Sequence, residues 1–446
     1  MQKVLLMSNY KKYRRQVGAN FNGLMRSFRK LFYYGCEVDS WLPEIIILPY
    51  VTLQWKQDRT WFRIIAPPGS GKSVHLSLLR DYELSYVIDE FTPKSFISGF
   101  RGSGGEDPSI LPQLDGKVLI LSDESTIMEQ RQEDRNQIQA ILRKTYDGTY
   151  GKKFGNIKDK QEYSTYFNLL IGSTPAIDRY FLYNQALGER YINFRLQIPN
   201  REALARFAYE NQFQNFGEKY AKLQKKLHRF LKQLPSVDFS DITVSDTAGD
   251  FLINVSNFIA LIRTKISRDG TGQHVTTLPQ AESAGRLVHQ MTQTAMASAV
   301  VNGDLEVELL HLHKAIYFGI GSVMAIIIFI LHNIYLYSSQ AQGGTDKVWF
   351  SPQTIGIRTA LSLRTILKIL EDLAIHHVLD VRQAKKQGGR LREYSLNDEI
   401  LEFIEEVEIF KYYSPPCKEI LSLKRLDRTR PTGNKKRKKK RKIKNQ

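Results

Sequence analysis

The segment that most restricts how this chain can fold is the run APPGSGKS at positions 66–73. It follows an apolar, strand-like segment, WFRII, and precedes a helical pattern, VHLSLLR. Small residues let backbone N–H groups wrap around phosphates, and a helix that begins there directs its positive end toward them. The run therefore predicts a strand–loop–helix unit with a phosphate-binding Walker A loop, in which Ala66 stands where the general pattern has glycine.

The residues of this loop have predicted roles in binding ATP and Mg2+, the two expected cofactors. Lys72 is expected to reach the β- and γ-phosphates, and the Ser73 hydroxyl to coordinate the metal. The alternative is a chance match to the motif, which the flanking strand and helix make less favourable. The nucleotide is predicted to lie against Pro68, Gly69, Ser70, Gly71, Lys72, Ser73 and Val74.

Two later strand-like segments end in polar residues that suit the same chemistry. VLILSDES at 118–125 predicts that Asp123 holds hydrated Mg²⁺ and that Glu124 polarises the attacking water. An acidic pair after a strand can also simply cap a helix. FNLLIGSTP at 167–175 ends in Ser173 and Thr174, either of which could sense the γ-phosphate, and Thr174 is our candidate.

An arginine farther along the chain is a candidate for contacting the site of a neighbouring subunit. LGERYINFRL at 187–196 places Arg190 just before another apolar segment. A rigid guanidinium can neutralise the charge that develops on a transferred phosphoryl group. Arg195 is the second choice, and an ordinary surface salt bridge is the alternative interpretation.

The apolar segments at 61–65, 86–88, 118–121 and 167–171 alternate with polar, helix-like stretches. That alternation predicts an α/β fold with a parallel sheet flanked by helices. At 446 residues the chain is too long for one ordinary domain, so two or three are expected.

The formal net charge is +18, which makes a polyanion a natural partner. Much of that excess is local, because residues 424–446 contain thirteen Lys or Arg and a single Asp. Cys36 and Cys417 lack the spacing of a zinc site, so we expect a reducing compartment and no structural metal. The N-terminus shows no secretory signal, which indicates a cytoplasmic protein, or a nuclear one in a eukaryotic host.

The C-terminal part carries a helix–turn–helix pattern followed by two strand-like pieces, over residues 351–395. Arg364 and Lys368 are expected on the exposed side of the second helix, and a basic wing would follow. Such modules also mediate protein contacts, which is the alternative to DNA binding. The wing residues are Lys385, Lys386, Arg390 and Arg392.

Residues 315–345 contain no Lys, Arg, Asp or Glu and are long enough to be considered as a membrane span. A span here would separate two basic regions that both suit nucleic acid. We therefore predict a buried helix and regard a membrane partner as the less favoured alternative.

In order, these segments resemble the AAA+ helicases of the superfamily 3 and MCM-like kind that phages and mobile genetic elements encode. The resemblance extends over roughly residues 60–335 and includes FTPKSFISGF at 91–100, LRKTYDGTYGKKFG at 142–155 and GSTPAID at 172–178. It implies an AAA+ P-loop ATPase with a helical lid. Together with the residue patterns on either side, it predicts this division: 1–55, an N-terminal helical basic segment; 56–200, the ATPase core; 201–340, a helical lid region; 346–412, a winged-helix domain; 413–446, a disordered polybasic tail.

The resemblance also implies a homo-oligomer, most simply a hexamer, with ATP at the subunit interfaces. Arg190 would act in trans and Arg286 would be the second sensor on the lid. Residues 150–154, with Lys152 and Lys153, would form the tip of a β-hairpin that grips DNA in a central channel. Two lysines beside aromatic residues suit phosphate contact and base stacking, although an ordinary exposed hairpin is the alternative.

Two departures from the family pattern matter. Many relatives have an aromatic residue where Glu124 stands, which weakens its assignment as the catalytic base. No primase or zinc module is evident before the ATPase.

The sequence thus predicts a ring-forming, ATP-dependent DNA helicase or translocase that acts in the replication of a phage, plasmid or genomic island. It would act on single-stranded or forked DNA, with other replication proteins as further partners. One alternative is an AAA+ initiator or helicase loader that remodels DNA without translocating. The other is a membrane-tethered P-loop regulatory ATPase.

Overall fold

A computed structural model describes most of the chain. Side chains are described from residue 15 onward, apart from those at 161, 385–386 and 389–390. The described ranges are 2–98, 107–153, 161–180, 190–234, 236–264, 266–270, 274–277, 280–340, 347–386 and 389–415.

Five of the nine described strands form one parallel sheet in the order β2-β3-β6-β1-β7. The remaining four strands make two antiparallel pairs, β4–β5 and β8–β9. The strands are β1 Trp61–Ile65, β2 Ser85–Ile88, β3 Val118–Leu121, β4 Thr149–Lys152, β5 Gln161–Ser164, β6 Asn168–Ser173, β7 Tyr191–Arg195, β8 Leu379–Lys386 and β9 Gly389–Leu396.

The α-helices precede, separate and follow these strands. They are α1 Gln2–Leu31, α2 Leu42–Ile45, α3 Leu48–Trp55, α4 Lys72–Ser77, α5 Pro93–Phe96, α6 Ser125–Met128, α7 Gln132–Tyr146, α8 Arg201–Asn211, α9 Phe216–Gln233, α10 Asp246–Arg263, α11 Gly285–Asn302, α12 Leu309–Gly321, α13 Ala325–Gln340, α14 Pro352–Thr359, α15 Leu363–Ile375 and α16 Asp398–Glu406.

The prediction of an α/β fold with a parallel sheet is confirmed, and each predicted strand lies within one residue or two of an observed one. The central strands β1, β3 and β6 are buried at every residue, as expected for a sheet covered on both faces. Strand β1 pairs with β6 on one side and β7 on the other, so the phosphate-loop strand is in the interior of the sheet.

Two apolar clusters cover the faces of this sheet. One is formed by α7 and the segment after β2, and it includes Phe96, Leu111 and Ile138. The other is larger and joins the N-terminal helices, α9 to α13 and the C-terminal region. Residues predicted to form separate N-terminal, lid and C-terminal regions therefore share one core with the sheet.

A buried ion pair ties the N-terminal helices to this core. The Lys314 ammonium of α12 donates to both carboxylate oxygens of Glu44 in α2, at 2.8 and 2.6 Å. Both side chains are about 5% exposed. Such a pair fixes how two helices pack more than it adds stability.

Strands β4 and β5 form the β-hairpin expected before β6, with Lys152 opposite Gln161. Tyr150 to Lys152 belong to the first strand rather than to the tip of the hairpin. Phe154 and the other tip residues, 154–160, lie outside the described part of the chain.

The C-terminal region consists of α14 and α15, the β8–β9 ladder and α16. Phe350 forms an isolated antiparallel β-bridge with Tyr394 of β9, next to the β8–β9 ladder. A face of α15 packs on the body of the protein, where Arg268 pairs with Glu371 and Asp372. The predicted tail, 413–446, is described only as far as residue 415.

The apolar stretch that begins at Ala315 forms parts of two helices, α12 and α13, not one. Side chains from both helices lie in the core. Within the described ranges, no single helix is long and apolar enough to cross a membrane; α12 and α13 satisfy that criterion only as a pair, and a bend of 117° separates them.

Candidate nucleotide-binding site

The predicted site residues lie at the carboxyl ends of three neighbouring strands. Ile65 of β1 is in register with Ser173 of β6, and Leu121 of β3 with Ile171 of β6. The phosphate loop, Asp123 and Thr174 therefore emerge at the same edge of the sheet. Parallel α/β sheets bind ligands at this edge.

The loop has a conformation that only glycine adopts without strain. Gly69 and Gly71 have φ values of +75° and +81°, in the left-handed region. Gly71 is also the residue before α4, so the loop leads directly into the helix amino end. The Ser70 hydroxyl is buried without a hydrogen-bond partner, which leaves a polar group available for a ligand.

The Lys72 side chain is only 6% exposed, and within the described residues no hydrogen bond or ion pair holds its ammonium. Burial lowers the pKa of Lys72, while the nearby charges of Asp123 and Glu124 act to raise it. A shielded cation without a fixed counterion is costly unless an anion binds to it. This arrangement suits the binding of a phosphate group.

His75, one turn after Lys72, holds the loop from behind. Its Nδ1 donates to the carbonyl of Gly71 at 2.9 Å, because a carbonyl can only accept. That tautomer leaves Nε2 to accept from the Tyr34 hydroxyl at 2.8 Å. The ring of Phe32 packs on the imidazole with centroids 3.9 Å apart, so the residues after α1 fix the loop through one histidine.

Because His75 is buried, we expect the stability of the protein to depend on pH. Burial lowers the pKa of His75 from 6.5 to about 4, against the opposing effect of its hydrogen bond to Gly71. The folded state therefore keeps the ring neutral where the unfolded chain protonates it. The neutral His75 ring contributes about 3 kcal/mol to the free energy of unfolding. This contribution is complete above pH 6.5 and is lost as the pH falls toward 4.

Denaturant titrations of the wild type and His75→Gln at pH 7 and pH 4.5 measure this effect. The wild type should lose more unfolding free energy than the variant over that interval. Equal losses would show that His75 is not the group responsible.

The acidic strand end places Asp123 near the loop. Asp123 is half-buried, and its Oδ1 accepts from the backbone N–H of Ser125 at 3.0 Å. This contact closes a local turn before α6, whose cap residue is Glu124 and has no side-chain capping bond, and it leaves Oδ2 for a metal. Strand β6 and the segment after β3 approach closely here, since a Cβ on Gly172 would lie 2.4 Å from the Ser122 carbonyl oxygen.

Ser173 and Thr174 occupy different positions at the end of β6. Ser173 is buried, and its carbonyl accepts from the Ala66 N–H at 3.1 Å. Thr174 is half-buried and has no hydrogen bond through its side chain in the described residues. Of the two, Thr174 is better placed for the sensor role.

Glu124 differs most from its predicted role. It is 1% exposed, and its two carboxylate oxygens accept from Nε and Nη2 of Arg63, each at 2.9 Å. Arg63 lies in the middle of β1, stacks over the ring of Tyr191 at 3.9 Å and also donates to Asn193. A carboxylate engaged in this way cannot polarise a water molecule, so this conformation does not support Glu124 as the base.

The interpretation of the sequence missed Arg63 and its role. The available signal was an arginine inside the otherwise apolar strand WFRII, since a buried guanidinium requires a carboxylate partner.

Arg190 and Arg286 lie together at the opposite edge of the sheet. Their guanidinium groups approach the ring of Tyr146, at 5.6 and 5.9 Å from its centroid. Tyr146 packs on Trp61, the first residue of β1, whereas the phosphate loop follows the last. Because β1 separates them, Arg286 does not reach the loop of its own chain, and the expected sensor role is not supported within one subunit.

Arg190 also pairs with Asp147 at 3.0 Å, and its side chain is 10% exposed. The second-choice arginine, Arg195, pairs with Asp178 at 2.7 Å and donates to the Gly321 carbonyl. Arg195 is thus held by its own chain at the carboxyl end of β7.

The predicted DNA contacts are dispersed. Lys152 is half-buried in β4 and Lys153 is exposed just after it, at the amino edge of the sheet. Arg364 and Lys368 are exposed on α15, as expected, and border a cavity of about 340 Å³ against the body of the protein. The side chains of Lys385, Lys386 and Arg390 lie outside the described part of the structure.

A scan against protein-family models found no match to the chain, and a search of curated proteins found none either.

Proposed function

We propose that this chain is an AAA+ P-loop ATPase that forms a ring and uses ATP hydrolysis to move along or unwind DNA. The observation that carries the proposal is the buried Lys72 side chain, which has no hydrogen-bond or ion-pair partner among the described residues. It lies behind a glycine loop, with Asp123 and Thr174 at adjoining strand ends. Sheet order and chain order both agree with a nucleotide at this edge.

The residues present fit ATP with Mg²⁺. The orphaned Ser70 hydroxyl, the left-handed glycines and the Lys72 ammonium offer donors for a triphosphate. Ser73 is exposed at the start of α4, and Asp123 has a free carboxylate oxygen, so these two would hold the metal. Mg²⁺ takes few protein ligands when phosphates and water supply the rest, and its chemistry would be to neutralise phosphate charge.

The position of Arg190 supports a site completed by a second protomer. It lies with Arg286 at the amino edge of the sheet, whereas the phosphate loop lies at the carboxyl edge. Head-to-tail packing brings such opposite edges together and closes into a ring when the rotation allows. Release of Arg190 from Asp147 would then accompany assembly.

Mixing variants tests this arrangement. Arg190→Ala and Lys72→Ala are each expected to lose ATP hydrolysis, while the mixture regains part of it because some interfaces combine an intact loop with an intact arginine. Arg206→Ala, which removes an exposed arginine of α8, is the matched control and should retain activity. If no mixing ratio restores hydrolysis, Arg190 does not act across an interface.

The hairpin is proposed as the DNA-contacting element of the ring. The double variant Lys152→Ala, Lys153→Ala should lose most of the DNA stimulation of ATP hydrolysis and keep the basal rate. The reason is that these residues are remote from the phosphate loop and would contact the DNA backbone. Steady-state ATPase assays with and without oligonucleotide measure both rates, and an equal fall in both would contradict the channel role.

The C-terminal region is proposed to be a winged-helix module with DNA as its partner. Its two helices, its antiparallel ladder and the exposed Arg364 and Lys368 support this assignment.

A further inference from the structure

The positive charge of this protein is concentrated in two helices and the tail. Helix α1 has eight Lys or Arg and no Asp or Glu, and α9 has six against Glu218 alone. With these helices and residues 424–446 set aside, the chain has 37 Lys and Arg against 44 Asp and Glu. Outside residues 424–446, the net positive charge therefore comes from α1 and α9, and the rest of the chain is acidic overall.

The two basic helices pack side by side. The rings of Phe21 and Phe230 lie 5.8 Å apart in their interface. The Lys226 ammonium of α9 donates to the Gly23 carbonyl and the Ser27 hydroxyl of α1, at 2.7 and 2.8 Å. The cations of α9 and of the described part of α1, from residue 15 onward, therefore belong to one continuous surface.

At the centre of this surface, three cations lie close together without an acid. Arg26 and Lys30 of α1 are near enough to Lys226 to lower its pKa, after the larger effect of burial. No ion pair is found for any of the three within the part of the chain that the structure describes. Mutual repulsion of this kind is relieved when a polyanion binds.

Further cations extend the surface along α9. Lys219, Lys222, Lys226 and Arg229 are exposed and recur every three or four residues, so they follow one face of the helix. Of these, Lys222 has an acidic partner, Glu218, on the same helix. A row of this length suits an extended phosphate backbone better than a single anion.

Exposed aromatic rings lie at the amino end of the row. Tyr209, Phe213 and Phe216 are 63%, 73% and 36% exposed, and Tyr209 and Phe213 form an edge-to-face pair at 5.2 Å. Helix α8, which carries Tyr209, has no buried residue. Its Phe207 contacts Tyr33, just beyond α1, which places these rings next to the basic surface.

We propose that α1 and α9, with the exposed aromatic residues at and just before the start of α9, form a binding surface for single-stranded nucleic acid. Phosphates would lie along the cation row, and bases would stack on Tyr209, Phe213 and Phe216. This surface is separate from the β4–β5 hairpin and from the C-terminal region. Its partner, nucleic acid, is of the same class as in the proposed function, but the residues that would bind it are different.

An anionic membrane fits this surface less well. Helices that lie on membranes insert an apolar face between their basic residues. Here the apolar faces of α9 and of α1 from residue 15 onward are used in packing, since Leu24, Phe28, Leu223 and Leu227 are all less than 5% exposed. The exposed rings whose side chains the structure describes on this surface lie at one end of it, where stacking with bases accounts for them.

Lysine footprinting on the full chain tests the surface without interference from the basic tail. The chain is acetylated with and without a thirty-nucleotide poly(dT), and each lysine is quantified by mass spectrometry. We expect Lys30, Lys222 and Lys226 to be protected at least about fivefold, whereas Lys56 and Lys94, exposed elsewhere, react equally in both samples. Protection of the tail alone, or protection of the surface by anionic vesicles but not by poly(dT), overturns the proposal.

Charge-neutralising variants give a second measurement. Arg26→Gln, Lys30→Gln, Lys226→Gln together should reduce the salt dependence of poly(dT) binding by about two in the log–log slope, because each phosphate contact on a single strand contributes about 0.7. The matched control, Lys56→Gln, Lys94→Gln, Lys117→Gln, should leave the slope unchanged. Equal slopes for the two triple variants overturn the proposal.

ATP hydrolysis on the same samples separates this inference from the proposed function. A chain that is protected on α1 and α9 but never hydrolyses ATP refutes the ATP-driven function and leaves the binding surface standing. An active ATPase with unprotected α1 and α9 refutes the binding surface and leaves the ATP-driven function standing.

Discussion

Replacing Lys72 with alanine is expected to reduce ATP hydrolysis by at least a hundredfold, on the order of the loss when one preorganised donor to a reacting oxygen is removed. Its side chain is buried close to Asp123, and in the proposed site its ammonium would neutralise a terminal phosphate. Nucleotide binding should weaken as well, because the same charge contacts the ground state. A phosphate-release assay with saturating ATP measures the rate.

The control for this prediction is Lys94→Ala, which removes an exposed lysine of α5. It should hydrolyse ATP at the wild-type rate. Both variants should melt within a few degrees of the wild type, since Lys72 makes no hydrogen bond in the described structure. A Lys72→Ala chain that keeps most of its activity would contradict the assignment of the loop.

The second large effect is expected at Arg63. Arg63→Met removes the only cation that contacts Glu124 in the described structure and leaves a buried carboxylate unpaired, so we expect a loss of about 3–5 kcal/mol in unfolding free energy. Urea denaturation measures it. Arg206→Met, at an exposed pair with Glu202, should cost at most about 0.5 kcal/mol.

The double variant Arg63→Met, Glu124→Met separates the two contributions. Because a buried ion pair can be replaced by apolar side chains of similar volume, the double variant should regain much of the stability lost by Arg63→Met. If both variants are equally unstable, packing around Arg63 rather than the unpaired charge is the cause. Glu124→Gln with Arg63 intact then tests whether hydrolysis needs the carboxylate.

The sheet could be predicted from the sequence because its signals are local. WFRII, VLIL and NLLIG are apolar runs bounded by turns, and they form β1, β3 and most of β6. The phosphate loop is likewise contained in eight consecutive residues. Its glycines have the left-handed φ values that the motif requires.

What the sequence did not predict depends on contacts between distant residues. The Arg63–Glu124 pair joins residues 61 positions apart, and its burial hides the carboxylate that the acidic motif suggested was available. His75 finds its partner in Tyr34, across the packing of the N-terminal residues on α4. The edge of the sheet at which Arg286 lies follows from the packing of α11, which no local pattern specifies.

Periodicity also fails to locate helix breaks. The apolar stretch from Ala315 has the pattern of one helix, yet the chain turns between Gly321 and Ala325, where a Cβ on Gly321 would overlap the Asn193 carbonyl oxygen. Helices α8 and α9 likewise share one helical pattern in the sequence. The break between α8 and α9 leaves the aromatic cluster exposed at the start of α9.

Strand displacement on a forked DNA duplex measures ATP-driven unwinding itself. The wild-type chain, supplied with ATP and Mg²⁺, should release the labelled strand, and Lys72→Ala should leave the fork annealed. Release should also stop when a non-hydrolysable ATP analogue replaces ATP. A wild-type chain that binds the fork and hydrolyses ATP without separating the strands, or separates them equally well without ATP, would contradict the account.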